Sequence, residues 1–580
     1  MAKIVLVCYR NAASAEAADA THRLQQFLAS LCPDNLSPVA PVIATDGRGL
    51  LLGVFNAADP ATVHAFSAYS GWLADGHDSW WRPGASAPSG TYALLRGGPD
   101  TVEALADYSA SRTIWFAHTD EVFVASTSQR AIPYFLGSFE PNPTAQAWML
   151  SAGSLGPSAG WDRRAHPLGP DGVARLDRAR WNLVVREPPV EFQIDRSPDR
   201  VHMEHLHQVL KQTIGAATFD YSRWVLPLSG GFDSRAILLM LQQRRGLRTV
   251  TWGRAEAARQ RGNDACVARE VAAAVGVENR YYETDLSDEP VETLLHRYLT
   301  AGDGRTDGFV AYIDGFRAWR MFFESGVRGV IRGEHGFGPG AGPALNNHAQ
   351  VLHMCSMTRW RDYADTPPLA SFGLPQLDEQ PLPPSFAPHD GESPSDWRDR
   401  LYQLYRIPAY HAGLNDLKAA YVEIAAPLLV REIMSLTRTY PVHLRDDKRL
   451  FRDVVAPLDL RIPNASDSAL VTPTQLLDVR DVQEVLCDEL SSQRLKGALS
   501  AQFANFLLNA WPRPVARPRN GFWRRFRRQV GSRVPTSLRT RLRGSFKAKS
   551  LDVRWVALRA YIVSRMHDRL AEDARCAARP

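Results

Sequence analysis

The sequence predicts an α/β protein with two domains: an α+β domain over residues 1–195, and a domain over residues 196–580 in which helices flank a parallel β-sheet. Three observations lead to this prediction. The chain has 580 residues, which is enough for two or more domains. Short apolar segments punctuated by Pro and Gly fill the first part, as in a domain of short strands. From residue 224 to about residue 335, predicted strands and helices alternate, as in βαβ units.

The first domain contains five predicted strands, at residues 3–8, 50–55, 90–96, 113–117 and 122–126. The segment 186–199 is rich in proline and charged residues, which is typical of a domain boundary. A helix predicted for residues 203–218 leads into the second domain.

The second domain contains four predicted strands, at residues 224–228, 248–252, 280–283 and 329–331. The predicted helices cover residues 236–241, 264–275, 294–299 and 312–325. A long loop or insertion is expected at residues 360–400, and helical character returns over residues 397–432. Because ligands bind outside the carboxyl ends of parallel strands, we expect a site at those ends.

The most informative motif is Ser-Gly-Gly-Phe-Asp-Ser at residues 229–234, between a predicted strand and a predicted helix. This arrangement directs backbone N–H groups and a helix dipole at one point, which favours phosphate. Gly230 and Gly231 lack a Cβ atom that would block close approach of the backbone. A carboxylate beside a phosphate is repulsive unless a cation separates them, so Asp233 predicts Mg²⁺. The motif lacks the lysine of the Walker P-loop.

The net charge of +6 is concentrated towards the C-terminus, because no Asp or Glu occurs between Leu490 and Leu551. In the basic segment 510–550, Trp523 and Phe526 lie among the arginines. This segment is either a solvated face or a docking surface for a peptide, a nucleic acid or a membrane surface. No apolar run is long enough for a transmembrane helix and no secretory signal is present, so we expect a cytoplasmic protein.

The motif resembles the pyrophosphate loop of the ATP pyrophosphatases, and four further segments resemble the asparagine synthetase family in the family's order. These segments lie at residues 251–253, 332–336, 421–429 and 447–452. Residues 90–93 and 122–126 resemble the family's glutaminase half. The resemblance implies an Ntn-hydrolase-like first domain and an ATP pyrophosphatase domain after it.

The resemblance also implies ATP and Mg²⁺ as cofactors and gives residues their roles. Lys448 matches the catalytic lysine, and Glu423 would orient Lys448 or the amine. Asp233 would hold the metal, either with Glu334 as the second carboxylate or with fewer protein ligands, and His335 is expected to be a spacer in its loop. The residues expected to bind ATP and pyrophosphate are Leu228, Ser229, Gly230, Gly231, Asp233, Ser234, Trp252, Gly253, Gly333 and Glu334.

Two departures from the family pattern reduce the number of functions that the resemblance implies. The glutaminase nucleophile of the family is a cysteine at position 2, but this chain has Ala2 there, and Cys8 lies inside a predicted strand without a free amine beside it. The family's second metal carboxylate falls on Phe337. The chain therefore resembles relatives that have lost glutamine hydrolysis.

Those relatives include the lasso-peptide cyclases and the β-lactam synthetases, which join an amine and a carboxylate of one substrate. The basic segment favours a peptide substrate, with a leader protease and a leader-binding protein as possible partners, and we do not expect nucleic acid binding or membrane insertion. Three alternatives stay open: β-lactam-type closure of a small β-amino acid, ammonia-dependent amidation of a small molecule or saccharide, and a nucleotide-binding scaffold without catalysis.

The first prediction concerns glutamine. Because Ala2 cannot supply a thiolate, the purified protein should not convert glutamine to glutamate, with or without ATP. An enzyme-coupled glutamate assay measures this, and detectable glutaminase turnover would contradict the prediction.

Overall fold

The computed structural model describes residues 3–11, 19–57, 59–74, 78–339, 345, 347–364, 366–458, 460–511 and 550–577. Their strands form two antiparallel sheets of six strands each and one parallel sheet of five strands. The two antiparallel sheets come from residues 3–186 and the parallel sheet from residues 224–425. The predicted α/β class with a parallel sheet flanked by helices is confirmed. The basic segment 510–550 lies outside the described residues except for its ends.

The first antiparallel sheet has the strand order β10-β8-β9-β1-β3-β2, and the second has the order β12-β11-β7-β6-β5-β4. The bounds are β1 Lys3–Tyr9, β2 Val42–Thr45, β3 Leu50–Phe55, β4 Val63–His64, β5 Ser67–Leu73, β6 Gly90–Gly97, β7 Thr101–Ala106, β8 Trp115–His118, β9 Val122–Ser126, β10 His166–Pro167, β11 Val173–Asp177 and β12 Asn182–Arg186. All five strands predicted for this part are present, with ends shifted by at most two residues.

Side chains of β1 alternate between two cores, as the pleat of a strand requires. One set packs between the two antiparallel sheets, and the other packs against helix α1 (Ala20–Ser30). The first set is Ile4, Leu6 and Cys8, and the second is Val5, Val7 and Tyr9. Burial raises the pKa of the Cys8 thiol to about 11, so this cysteine is a core residue and not a nucleophile.

The parallel sheet has the strand order β15-β14-β13-β16-β17, with β13 (Trp224–Pro227) at its centre. The other bounds are β14 Arg248–Gly253, β15 Glu278–Glu283, β16 Gly329–Ile331 and β17 Glu423–Ala425. Strand β17 interrupts the helical character predicted for residues 397–432, which is a correction to that prediction. A three-residue strand carries too little local pattern to be recognised, and its pairing with β16 decides its conformation.

Helices surround the three sheets. Their bounds after α1 are α2 Ala131–Leu136, α3 Pro143–Ala152, α4 Asp199–Leu210, α5 Phe232–Met240, α6 Asp264–Ala274, α7 Val291–Gly302, α8 Arg317–Glu324, α9 His348–Met354, α10 Pro394–Leu401, α11 Ala412–Ala419, α12 Arg431–Thr437, α13 Val442–Arg445, α14 Arg449–Val455, α15 Pro473–Leu477, α16 Arg480–Ser491, α17 Gln493–Ala498, α18 Ala501–Asn509 and α19 Val553–Ala577. Among the described helices, none is both long enough and apolar enough to cross a membrane.

The two halves of the chain share buried contacts. Helix α19 returns from the C-terminus to pack against α2. Beside α2, Arg130 donates two hydrogen bonds of 2.8 Å to the carboxylate of Asp573, and both side chains are almost fully buried. Next to β17, Arg112 of the first half donates a 2.9 Å hydrogen bond to Glu423.

The second prediction tests the contact between α2 and α19. Arg130→Ala should lower the free energy of unfolding by about 3–5 kcal/mol, because it leaves the carboxylate of Asp573 buried without this cation. Urea denaturation measures the change. The control is Arg480→Ala, which removes an exposed ion pair with Glu484 and should leave stability nearly unchanged. Equal effects of the two substitutions would contradict the prediction.

Candidate active site

A cavity of about 390 Å³ lies at the carboxyl edge of the parallel sheet. Its wall combines the ends of β13, β14 and β16 with segments from much later in the chain. The lining residues that the sequence predicted are Leu228, Ser229, Asp233, Ser234, Trp252, Gly333 and Glu334. Segments more than 200 residues apart thus meet at one edge, as expected for parallel strands.

The loop between β13 and α5 is held mainly by its own side chains. The N–H of Ser229 donates to Ser234 Oγ at 3.0 Å, and the N–H of Gly231 donates to Ser229 Oγ at 3.2 Å. The N–H of Gly230 donates to Asp264 Oδ1 at 3.1 Å. These three N–H groups already have partners within the protein. The first N–H groups of helix α5 have no carbonyl partner within the helix, and together with the two serine hydroxyls they are the donors that an anion could use.

Residues 462–470, called the strap here, cover the loop and the end of β14. Ala465 donates its N–H to the carbonyl oxygen of Gly230 at 2.9 Å, and Arg254 donates to the carbonyl oxygen of Ala469 at 2.9 Å. A Cβ atom on Gly230 would lie 2.4 Å from Ala465 Cβ, and one on Gly253 would lie 2.4 Å from Ala469 Cβ. Gly230 is therefore required for the strap to pack, and not simply for the approach of a phosphate.

Asp233 lies in the first turn of α5 and binds Lys448. Both carboxylate oxygens are 2.8 Å from Lys448 Nζ. Asp447 and Lys448 have φ angles of 53° and 56°, a left-handed conformation that non-glycine residues adopt at a cost. Asp447 stands where the similar family segment has a glycine, and Asp tolerates this conformation better than most residues. The chain thus places Lys448 on a strained turn directly beside the loop.

His335 is a site residue that the sequence analysis had treated as a spacer. Its side chain is buried, and Nε2 lies 3.6 Å from Asp233 Oδ2. The N–H of Phe337 donates to His335 Nδ1 at 3.3 Å, so a neutral ring carries its proton on Nε2, towards Asp233. Burial would raise the pKa of the Asp233 carboxyl, but His335 and Lys448 together lower it well below its usual range. Asp233 is therefore ionised.

Glu334 lies on the same wall and is also ionised. Arg332 Nε donates to Glu334 Oε1 at 3.1 Å, and Asn415 Nδ2 donates to Oε2 at 3.3 Å. Burial raises the pKa of Glu334, but the charges of Arg332 and Lys418 lower it more. Phe337, at the position of the family's second metal carboxylate, is buried and stacks on Phe451 with ring centroids 4.5 Å apart. It faces the core and not the cavity.

The oxygen donors of the cavity fit Mg²⁺, which proteins usually bind through one or two carboxylates together with substrate phosphates. Asp233 and Glu334 both line the cavity and are the residues that would hold it. Within the described ranges, no group of three or more His, Cys, Asp or Glu could hold a metal ion by itself. The cation would therefore depend on nucleotide phosphates for further ligands.

Glu423 is one of the predicted site residues that do not line the cavity, and the others are Gly230, Gly231, Gly253 and Lys448. Glu423 is the first residue of β17, is 6% exposed, and accepts hydrogen bonds from Arg112 at 2.9 Å and Ser70 at 3.4 Å. It is not among the lining residues of the cavity, and Lys448 binds Asp233. An orienting role for Glu423 stays a prediction.

Sequence reasoning did not assign several side chains that line the cavity. Tyr402 and His411 come from a wide, π-helical stretch, Tyr402–His411, and π-helical turns are frequent at functional sites. Burial lowers the pKa of His411 to about 3, so its ring is neutral. Asp264, at the start of α6, also lines the cavity. Nothing in the local sequence distinguishes these residues from core or capping residues.

Residues 205–334 match a family model described as asparagine synthase. The match begins in α4 and ends at Glu334, so it covers the loop, Asp233 and the end of β14 but not Glu423 or Lys448. No curated protein matches the chain significantly. The matched region supports the asparagine synthetase family, and with it an ATP-dependent ligase.

The third prediction concerns the strap. Gly230→Ala should lower stability by about 1–3 kcal/mol, because the new methyl group overlaps Ala465. Gly231→Ala is the matched control, since its Cβ would meet Ser229 Oγ at 3.2 Å and no other atom within 4 Å. Ala465→Gly should restore stability to the Gly230→Ala protein. Thermal unfolding measures all three, and failure of this rescue would contradict the assigned packing.

Proposed function

We propose that the protein forms an amide bond by activating a carboxylate with ATP, and that its reaction is macrolactam closure in lasso-peptide biosynthesis. The observation that carries the proposal is the Lys448–Asp233 contact of 2.8 Å at the N-terminus of α5. It joins a candidate catalytic cation, Lys448, to a candidate pyrophosphate site whose Asp233 lies in the region similar to asparagine synthases.

In the first step, an Asp or Glu side chain of the peptide attacks the α-phosphorus of ATP, and pyrophosphate leaves. The helix N-terminus and the hydroxyls of Ser229 and Ser234 bind the phosphates, since they present donors at one point. Mg²⁺, held by Asp233 and Glu334, would neutralise phosphate charge. Lys448 stabilises the negative charge that develops during the transfer.

In the second step, the N-terminal amine of the peptide attacks the acyl carbon, a proton is lost, and AMP leaves. The tetrahedral oxyanion develops close to the α-phosphate, so the same lysine stabilises both transition states. The product is lighter than the linear peptide by one water. Glu423 is proposed to have an orienting role, although it binds Arg112 at the first residue of β17.

The amine is proposed to come from the substrate because neither Ala2 nor Cys8 is suited to glutamine hydrolysis. Ala2 stands at the nucleophile position, and the thiol of Cys8 is buried with a raised pKa. The first half serves instead as a packing partner, through contacts such as Arg112 with Glu423. β-Lactam-type closure and ammonia-dependent amidation use the same chemistry, and substrate assays distinguish them.

A peptide substrate is proposed on the basis of the basic segment, whose arginines at positions 524, 525, 527 and 528 lie outside the described residues. A leader protease and a leader-binding protein would act before cyclisation. Salt-sensitive binding of nucleic acid by this segment, independent of ATP, would favour the alternative partner.

The fourth prediction separates an enzyme from a scaffold. Lys448→Ala should reduce product formation by about 10²–10³-fold, because the transition-state charges lose their cation. ATP affinity should change far less, since the helix N-terminus and Asp233 remain. Lys448→Arg should not restore activity fully, because a planar guanidinium places its charge differently. The measurements are product mass, release of AMP and pyrophosphate, and nucleotide affinity.

The matched control is Lys211→Ala, which removes an exposed lysine outside the cavity and should have no effect. Cyclisation at the wild-type rate by Lys448→Ala would exclude Lys448 as the catalytic lysine. Release of ADP and phosphate, in place of AMP and pyrophosphate, would contradict the proposed chemistry.

A further inference from the structure

We infer that the carboxylate of Asp264 binds a ribose hydroxyl of the nucleotide. This inference rests on the proposed use of ATP and adds a residue that recognises the ribose. Asp264 begins helix α6 and lines the cavity, yet neither the sequence motif nor the proposed chemistry uses it.

Asp264 is fixed between the two structures that enclose the cavity. Its Oδ1 accepts the N–H of Gly230 in the phosphate loop at 3.1 Å. Its own N–H donates to the carbonyl oxygen of Asp467 in the strap at 3.0 Å. The neighbouring Asn263 caps α6 through Ala265 N–H at 3.1 Å and donates to Ser468 of the strap at 3.1 Å. These contacts therefore fix the position of the Asp264 carboxylate in the cavity wall.

That place lies between the expected phosphate and base ends of the site. The phosphate end is the loop that contains Gly230. The base end would be the end of β14, because residues 251–253 resemble the family segment expected to contact the nucleotide; there the strap residue Ala469 packs on Gly253 and Trp252 lines the cavity. Asp264 touches the loop on one side and the strap on the other. In a nucleotide that spans the two ends, the ribose is the part between them.

The electrostatic environment of the Asp264 carboxylate favours a neutral hydrogen-bond donor as its ligand. Among the described residues, no Lys, Arg or His forms an ion pair with Asp264, unlike Asp233, which has Lys448. A carboxylate without a cation repels phosphate, so the phosphates are poor partners for it. Burial raises its pKa, and the backbone N–H groups of Ala469 and Gly230 offset this only in part. A ribose hydroxyl is a neutral donor that compensates this charge without adding another one.

The test uses direct binding, measured by calorimetry at constant Mg²⁺, with ATP, 2′-deoxyATP, 3′-deoxyATP and inorganic pyrophosphate as probes. The wild-type protein should bind ATP more tightly than at least one deoxy analogue by about 10- to 100-fold, the range for a hydrogen bond to a charged group. Inosine triphosphate keeps the ribose but lacks the adenine amino group. The protein should therefore bind inosine triphosphate more tightly than deoxyinosine triphosphate.

Asp264→Asn keeps an acceptor for the Gly230 N–H but removes the charge. It should weaken ATP binding by about tenfold or more and remove most of the discrimination against the deoxy analogue. Pyrophosphate has no ribose, so its affinity should not fall. The sign of the change is informative, because simple removal of a negative charge near ATP would tighten binding instead. The charge-matched control is Asp285→Asn, an exposed carboxylate after β15 that should leave the discrimination intact.

Three outcomes would overturn the inference. The first is equal wild-type affinity for ATP and both deoxy analogues, a result that needs no variant. The second is tighter ATP binding by Asp264→Asn. The third is a parallel loss of ATP and pyrophosphate affinity, which would assign Asp264 to bracing the loop. No binding of ATP by the wild-type protein would instead refute the proposed function, and the inference with it.

Discussion

The candidate site depends on the parallel pairing of β13 with β14 on one side and β16 on the other. Parallel strands place their carboxyl ends at one edge, so the segments after β13, β14 and β16 must lie side by side there. The loop, the end of β14 and the residues around Glu334 meet for this reason alone. Lys448 and the strap then reach the same edge from the other end of the domain: Lys448 binds Asp233, and the strap residues Ala469 and Leu470 line the cavity.

Two carboxylates that line the cavity, Asp233 and Asp264, differ in the charge of their partners. Asp233 faces Lys448 and His335, whereas Asp264 is held by backbone N–H groups without a cation among the described residues. A carboxylate paired with a cation suits the charged end of a nucleotide, and one held by neutral donors suits an uncharged part. The proposed roles of metal binding and ribose recognition follow from this difference.

The first half of the chain binds the second through buried ion pairs. Arg112 binds Glu423 at the end of the parallel sheet, and Arg130 binds Asp573 in the last described helix. Such buried pairs are costly to break, because the remaining charge is left in the interior. These two pairs therefore hold the first half of the chain against the second.

The sequence by itself determined the features that local pattern encodes: the strands before Ser229 and Gly333, the loop and helix that carry Asp233, and the position of Lys448. These depend on apolar runs, glycines and short motifs, which are readable within a few residues. Tertiary structure decided the rest. Strand β17 forms through pairing with β16, His335 meets Asp233 because two distant segments converge, and Gly230 is required by an alanine more than 230 residues away. Each of these depends on contacts between segments far apart in the chain, and no local pattern records such contacts.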